Sequence, residues 1–174
     1  SADTDALTGV GNRRWFLAQL PRASWQGDCL IVMDLDHFKR INDRYGHHTG
    51  DQVLVAFADL VRKNLRGGDS FARLGGEEFG LYLPRTSETQ AFAIAERLRR
   101  AVEELRVASS GQTVAVSISI GLATASGAER SWEALFNRAD AALYAAKRDG
   151  RNRVASDAEP AVSEPPAVIL HRAS

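Results

Sequence analysis

The run Cys29-Leu30-Ile31-Val32-Met33 has no polar position and no alternation, and it stops abruptly at Asp34-Leu35-Asp36. A short unbroken apolar run suits a strand covered on both faces, the condition of a central strand in a layered sheet. Such a strand obliges the chain to supply a packing layer for each side. The rest of the pattern provides helices. Helical signals run from about Asn12 to Leu20, stopped by Pro21, and from Asp51 to Leu65 through Leu54, Phe57 and Val61, with Gly67-Gly68 as the stop. A capping box at Ser87-x-x-Gln90 opens another, with Ala91, Ile94, Ala95, Leu98, Ala101, Val102 and Leu105 on one face. The last starts near Trp132, turns Leu135, Phe136, Ala139, Leu143 and Ala146 inward, and stops at Arg148-Asp149-Gly150.

Phe71-Ala72-Arg73-Leu74 and Phe79-Gly80-Leu81-Tyr82-Leu83 flank Gly75-Gly76-Glu77-Glu78, a β-hairpin signal. From Val114 to Leu122, bulky residues alternate with Ala115, Ser117, Ser119 and Gly121, which predicts one strand with a bulky and a small face. Asn152-Arg153-Val154 predicts a short edge strand. A hairpin amid alternating helices and strands argues for a partly antiparallel sheet with helices packed on it. Residues 1–155 read as one folded domain, and 156–174, rich in Ala, Pro and Glu, as a flexible tail.

Lys plus Arg and Asp plus Glu are both 22, so no net field draws the chain to nucleic acid or a membrane surface, and any anion must be held locally. No apolar stretch reaches the length of a membrane span. The single cysteine, Cys29, fits a reducing, cytoplasmic setting and is expected to be a small buried hydrophobe. No signal peptide opens the chain, and Ser1-Ala2-Asp3 reads as an internal boundary with domains expected upstream.

Carboxylates at strand ends and loop tips are where such a scaffold presents a site. Asp34 ends the buried strand; Glu77 and Glu78 occupy the hairpin tip. Magnesium takes one or two carboxylates plus phosphate oxygens at about 2.1 Å, so the two acidic clusters suit it if the hairpin packs beside the strand. On spacing alone, solvated turn charge is the simpler reading of Glu77 and Glu78.

Gly75-Gly76-Glu77-Glu78-Phe79 resembles the signature of the GGDEF family, the diguanylate cyclases, in its GGEEF form. Further strings agree with it. Asp5-x-Leu7-Thr8-Gly9-x-x-Asn12-Arg13-Arg14 is similar to the family's opening motif. Asp34-x-Asp36-x-Phe38-Lys39-x-x-Asn42-Asp43-x-Tyr45-Gly46-His47-x-x-Gly50-Asp51 is similar to its metal and nucleotide segment. Ser119-Ile120-Gly121, Ala139-Asp140-x-Ala142-Leu143-Tyr144-x-Ala146-Lys147 and Gly150-Arg151-Asn152 are similar to its C-terminal motifs. The resemblance covers about residues 3–154.

It implies an α+β, palm-like fold with a mixed, mostly antiparallel five-stranded sheet. It implies condensation of two GTP into cyclic di-GMP and two pyrophosphates across a homodimer, with Mg2+ or Mn2+. Asp34, Glu77 and the Leu35 carbonyl are then metal ligands, and Glu78 a ligand or general base. Gly75 and Gly76 allow close approach of phosphate. His37, Phe38 and Lys39 cradle phosphates through backbone N–H groups, and the Lys39 side chain adds charge at the catalytic site; taken alone, Lys39 is a solvated surface lysine. Lys147 and Arg151 reach the β- and γ-phosphates; taken alone they are helix-dipole partners. Asn42 and Asp51 read guanine, whose N1–H and N2 amino group suit a carboxylate acceptor; taken alone, Asp51 is a helix cap. Asp36 and Asp43 are assigned structural roles, Leu7 and Thr8 N-terminal packing and capping, and His47 and His48 loop positions. Arg66-Gly67-Gly68-Asp69 matches the family's RxxD inhibitory site, with Arg97 as a further basic contact for cyclic di-GMP. On residues alone it is a helix C-terminus with Gly67 as cap and Asp69 in solvent. The resemblance further implies an upstream sensor or dimerisation domain. A non-catalytic cyclic di-GMP receptor and another nucleotidyl cyclase on the same scaffold are the competing readings.

Overall fold

The computed structural model describes residues 1–22, 25–127 and 131–157. β1 (Cys29–Leu35) lies in the middle of a five-stranded sheet of order β2-β3-β1-β6-β7. It runs antiparallel to β3 (Glu78–Leu83) and β6 (Ile118–Thr124). β2 (Ser70–Gly75) pairs antiparallel with β3, and β7 (Val154–Ser156) parallel with β6. This is the mixed, mostly antiparallel α+β architecture expected.

The unbroken apolar run is explained by two cores. Cys29, Ile31, Met33 and Leu35 pack with Val53, Leu54, Phe57 and Val61 of α3 (His47–Lys63) and with Ala95, Leu98 and Val102 of α4 (Glu88–Glu103). Leu30 and Val32 face the other way, onto Phe16 of α1 (Arg13–Gln19) and Leu135, Ala139 and Leu143 of α5 (Trp132–Arg148). Successive side chains of a strand point to opposite faces, so β1 must be apolar throughout to serve both layers. Cys29 is buried, its thiol donating to the Thr86 carbonyl at 3.2 Å, and burial pushes its pKa up.

Several boundaries differ from expectation. α2 (Phe38–Tyr45) was not anticipated; it buries only Ile41 and presents mostly polar residues. Gly46, with φ 93°, separates it from α3, which starts at His47 rather than Asp51. His47 and His48 therefore lie in a helical first turn, not a loop, and Asp51 is a second-turn residue, not a cap. α3 ends at Asn64, whose side chain donates to the Leu60 carbonyl at 2.8 Å, ahead of Gly67-Gly68. The alternating stretch is two strands: β5 (Gln112–Ala115) forms a separate hairpin with β4 (Arg106–Ser109), and β6 joins the main sheet. Val107, Val114, Val116 and Ile118 all feed one core, so the period passes unbroken through a change of partner. β7 carries the chain through Ser156, one residue into the expected tail; residues 158–174 lie outside those described. The capping box is present as read, with Gln90 N–H on the Ser87 hydroxyl at 3.1 Å and Ser87 N–H on the Gln90 carbonyl at 2.9 Å. Among the described residues no helix is long and apolar enough to cross a membrane.

The small face of β6 is where α5 lands. A Cβ on Gly121 would stand 2.2 Å from the Leu143 nitrogen and 2.3 Å from the Ala139 oxygen, both backbone. Backbone cannot yield as a side-chain tip can, so α5 must lift. Gly121→Ala is expected to destabilise by about 3 kcal/mol, the upper end for overpacking, read as a lower urea midpoint at unchanged m; a midpoint at the native value would refute this packing.

Candidate active site

Asp34 stands directly opposite Glu78 on β3 and Ser119 on β6. Directly opposed residues share a sheet face, so the two carboxylates look the same way, toward the α1/α5 layer. The hairpin tip is tied to the end of β1, where Leu35 N–H donates to the Glu77 carbonyl at 3.4 Å. Gly76 takes the left-handed conformation of the turn, φ 50°. The sheet thus brings together Asp34, Leu35, Gly75, Gly76, Glu77 and Glu78.

Lys147, on the last turn of α5, forms an ion pair with Asp34. Burial nonetheless holds the Asp34 carboxyl above its usual range, against the Lys147 hydrogen bond and charge; Asp140 and Asp36 push it further up. Glu78 is raised for the same reasons: burial first, then Asp34 and Asp140. These half-buried carboxylates are short of positive charge, and their oxygens are the hard donors a divalent ion takes. Among the described residues no three His, Cys, Asp or Glu side chains form a ready-made metal set. Two carboxylates and a carbonyl are nonetheless a normal magnesium set when phosphate supplies the rest.

Beyond β1 the chain enters α2 through His37, whose backbone is left-handed at φ 55° and whose side chain makes no capping bond. The first N–H groups of α2, from Phe38 and Lys39 on, are therefore left without a side-chain cap and available to an acceptor. The Lys39 side chain is not gathered in; it is exposed and paired with Asp43 at 3.0 Å. That pair gives Asp43 its surface role. Asn42, in the last turn of α2, lies against Gly50 of α3, where a Cβ would fall 1.9 Å from its Oδ1. Gly50 therefore admits the Asn42 carboxamide against the first turn of α3, one residue before Asp51 in the chain. Arg151, three residues beyond α5, donates its N–H to the Ala146 carbonyl at 2.9 Å.

Two supports brace this arrangement, and of their residues Arg73 carried no sequence signal. Arg73 Nε donates to the Gly76 carbonyl at 2.7 Å and its Nη1 reaches Asp5 at 3.3 Å. Asp5 in turn accepts from the Thr8 hydroxyl at 2.6 Å and the Thr8 N–H at 2.9 Å. Burial opposes the Asp5 charge, but these bonds and Arg73 outweigh it and hold its pKa below normal. The opening motif is thus a brace for the hairpin. Asp36, 5% exposed, accepts from the Ser117 and Ser119 hydroxyls, both at 2.6 Å, and from the Asn152 N–H at 3.0 Å, a structural role as assigned.

Arg66 and Asp69 lie where the chain enters β2, at the end of the strand far from Gly75 and about 17 Å away by strand rise. Asp69 is not in solvent; its side chain is 5% exposed, and it accepts from the Arg66 N–H at 3.0 Å. Arg66 Nη2 donates to the Thr86 hydroxyl at 3.3 Å, and Arg97 Nη2 to the Asn64 carbonyl at 3.3 Å. Arg66, Asp69 and Arg97 line one cavity of about 310 Å³ with Asn64 and Gln90.

Residues 2–153 match the family described as "Diguanylate cyclase, GGDEF domain". The chain is 44% identical over 157 residues to "Diguanylate cyclase DgcP" of Pseudomonas aeruginosa, covering 87% of this chain and 23% of that protein. It is 42% identical over 165 residues to "Response regulator PleD" of Caulobacter vibrioides, covering 90% and 36%. It therefore spans about a quarter to a third of these relatives. The crystal structure of the GGDEF domain of DgcB from Caulobacter crescentus in complex with c-di-GMP superposes with a TM-score of 0.84 at 37% identity, covering 90% of this chain and 94% of that one.

The raised Glu78 pKa has a consequence for stability. The folded state keeps a proton there that the unfolded state releases, so as pH rises from the ordinary glutamate value through the raised one, stability falls. In chelator, Glu78→Gln is expected to be more stable than the native chain at pH 7, by up to about 1 kcal/mol given solvent screening, and to flatten that decline. Unfolding free energies from pH 4 to 8 check it; an equal or lower stability at pH 7 would show that the charge at Glu78 costs nothing.

Proposed function

Because the chain belongs to the family of diguanylate cyclase GGDEF domains, we propose that it condenses two GTP molecules, one on each of two copies, into cyclic di-GMP and two pyrophosphates. The observation that carries this reading is the register of β1 and β3, which sets Asp34 opposite Glu78 with the Glu77 turn tied to Leu35. The donor set fits a divalent ion. Asp34, Glu77 and the Leu35 carbonyl would hold Mg2+ or Mn2+, with Glu78 beside them. When bound, the ion neutralises charge that develops on the transferring phosphoryl group and orients its oxygens.

The chain's own residues supply positioning. Asn42 and Asp51 take the guanine edge at the α2–α3 corner. The N–H groups of Phe38 and Lys39 at the start of α2 take phosphate oxygens, and Arg151 adds charge at the β- and γ-phosphates. Lys147 pairs with Asp34 and has a phosphate as its alternative anion. Gly75 and Gly76 leave the hairpin tip open to the nucleotide. In the reaction, the 3′-oxygen of one GTP bonds to the α-phosphorus of the other and the bond to the leaving pyrophosphate breaks. Glu78, whose burial raises its proton affinity, accepts the hydroxyl proton. One domain holds one nucleotide, so two copies must face each other, an arrangement an upstream domain would enforce.

Incubation with GTP and Mg2+, alone and as a forced dimer, is expected to give cyclic di-GMP, with Glu77→Ala lowering turnover at least about 100-fold. A silent forced dimer that still binds cyclic di-GMP would replace this reading with that of a receptor.

The cavity between α3, β2 and α4 is the product site in this reading. The Arg66 guanidinium is the donor for guanine O6 and N7, and Asp69 the acceptor for the opposite edge. The solved DgcB domain carrying c-di-GMP supports a product site in this fold. Arg66→Ala is expected to weaken cyclic di-GMP binding by about 10-fold or more, the loss of a bidentate contact, and to relieve inhibition without abolishing turnover. Unchanged product affinity by calorimetry would remove Arg66 from the site.

A further inference from the structure

Arg151 and Asn152 are adjacent non-glycine residues with left-handed backbones, φ 64° and 48°. Each costs of the order of 1 kcal/mol, so the pair persists only because its surroundings over-determine it. The chain places Gly150 just before this step, at φ 126°, but not within it. What holds the step is Asn152, whose backbone N–H, Oδ1 and Nδ2 each have a partner. Its backbone N–H donates to Asp36 at 3.0 Å, its Oδ1 accepts from Arg99 Nη1 at 2.9 Å, and its Nδ2 donates to Glu103 Oε2 at 2.7 Å. Arg99 is itself fixed, donating to both Glu96 oxygens at 3.0 and 2.7 Å with only 14% of its side chain exposed. The clamp therefore reaches from α4 to the chain leaving α5.

Its geometric effect is local. Asp36 immediately precedes His37, Phe38 and Lys39, so fastening Asn152 to Asp36 brings Arg151 back beside the start of α2. On the other side Arg151 is tied to Ala146, next to the Lys147 that meets Asp34. We propose that Asn152 is a positioning residue for nucleotide binding: clamped by Arg99 and Glu103, it fixes the left-handed step that presents Arg151 to the β- and γ-phosphates. This rests on the reading of Arg151 as a phosphate contact.

The test is calorimetric binding of a non-hydrolysable GTP analogue and of GMP, with Mg2+, to the full chain and four variants. These are Arg151→Ala, Asn152→Gly, Arg99→Met, and Arg151→Ala with Asn152→Gly. Glycine keeps access to positive φ, so Asn152→Gly removes the clamp without forbidding the turn; Arg99→Met breaks the clamp and leaves the turn sequence untouched. Asn152→Gly and Arg99→Met are each expected to weaken the triphosphate analogue about tenfold, the worth of one charge-assisted contact, with GMP affinity unchanged. The double variant is expected to bind no more weakly than Arg151→Ala, because both act through one contact. Native triphosphate affinity in both clamp variants, equal losses for GMP, or additive losses in the double variant would overturn the clamp while Arg151 stands. An Arg151→Ala variant with native affinity would overturn the phosphate reading, and the clamp with it.

Discussion

The structure depends on a central strand that is buried on both faces and ends in acid. β1 can carry Asp34 and Asp36 at its end only because every residue before them is committed to one of two cores. Their partners, not strand alternation, then separate the acids, since residues two apart share a face. Asp34 shares its face with Leu30 and Val32 and meets Glu78, while Asp36 turns to the β6 hydroxyls and to Asn152. A carboxylate that is satisfied by three donors anchors; one left against another carboxylate attracts a cation. The same residue type, two positions apart, does two jobs because the polar groups around each differ.

The site is built on rigid elements and braced from outside. Strand pairing fixes Asp34 and Glu78, and Arg73 fixes the turn at the Gly76 carbonyl, with Asp5, itself held by Thr8, holding Arg73. The α2–α3 corner depends on the missing side chain of Gly50, and α5 sits close to β6 only because Gly121 has none. Each glycine here is a packing requirement set by a neighbour. Polar charge concentrated at the end of β1 works against stability, as the raised carboxylates show, and the surplus comes from the two apolar layers. The cavity around Arg66 lies at the other end of β2 from the hairpin tip, so one strand joins the two regions while keeping them apart.

Much of this was legible in the residues. The apolar run, the Gly75-Gly76 hairpin, the capping box at Ser87 and the α5 periodicity named most elements, because each is a local signal repeated over several residues. α2 was not read, although Phe38, Ile41 and Tyr45 keep helical spacing, because eight residues hold only that one short stripe and only Ile41 is fully buried. The split of Val114–Leu122 into two strands was not legible either, as burial kept its period while the partner changed. Metal, guanine and phosphate candidates were recognised through motif strings. Arg73, Gly50 and Asn152 acquired roles only when their neighbours were known.

What the sequence determined by itself was therefore whatever depends on neighbours along the chain: the two-faced central strand, the turn glycines, the caps, and the acids at a strand end and a hairpin tip. What only the tertiary structure decided was pairing: Asp34 against Glu78, Lys147 on Asp34 instead of free, Asp69 buried against Arg66, and Asn152 bridging α4 to Asp36. The reason is physical. Local periodicity comes from backbone geometry shared by all chains, whereas the charge state and aim of a side chain are set by groups dozens of residues away that the fold brings within hydrogen-bond distance.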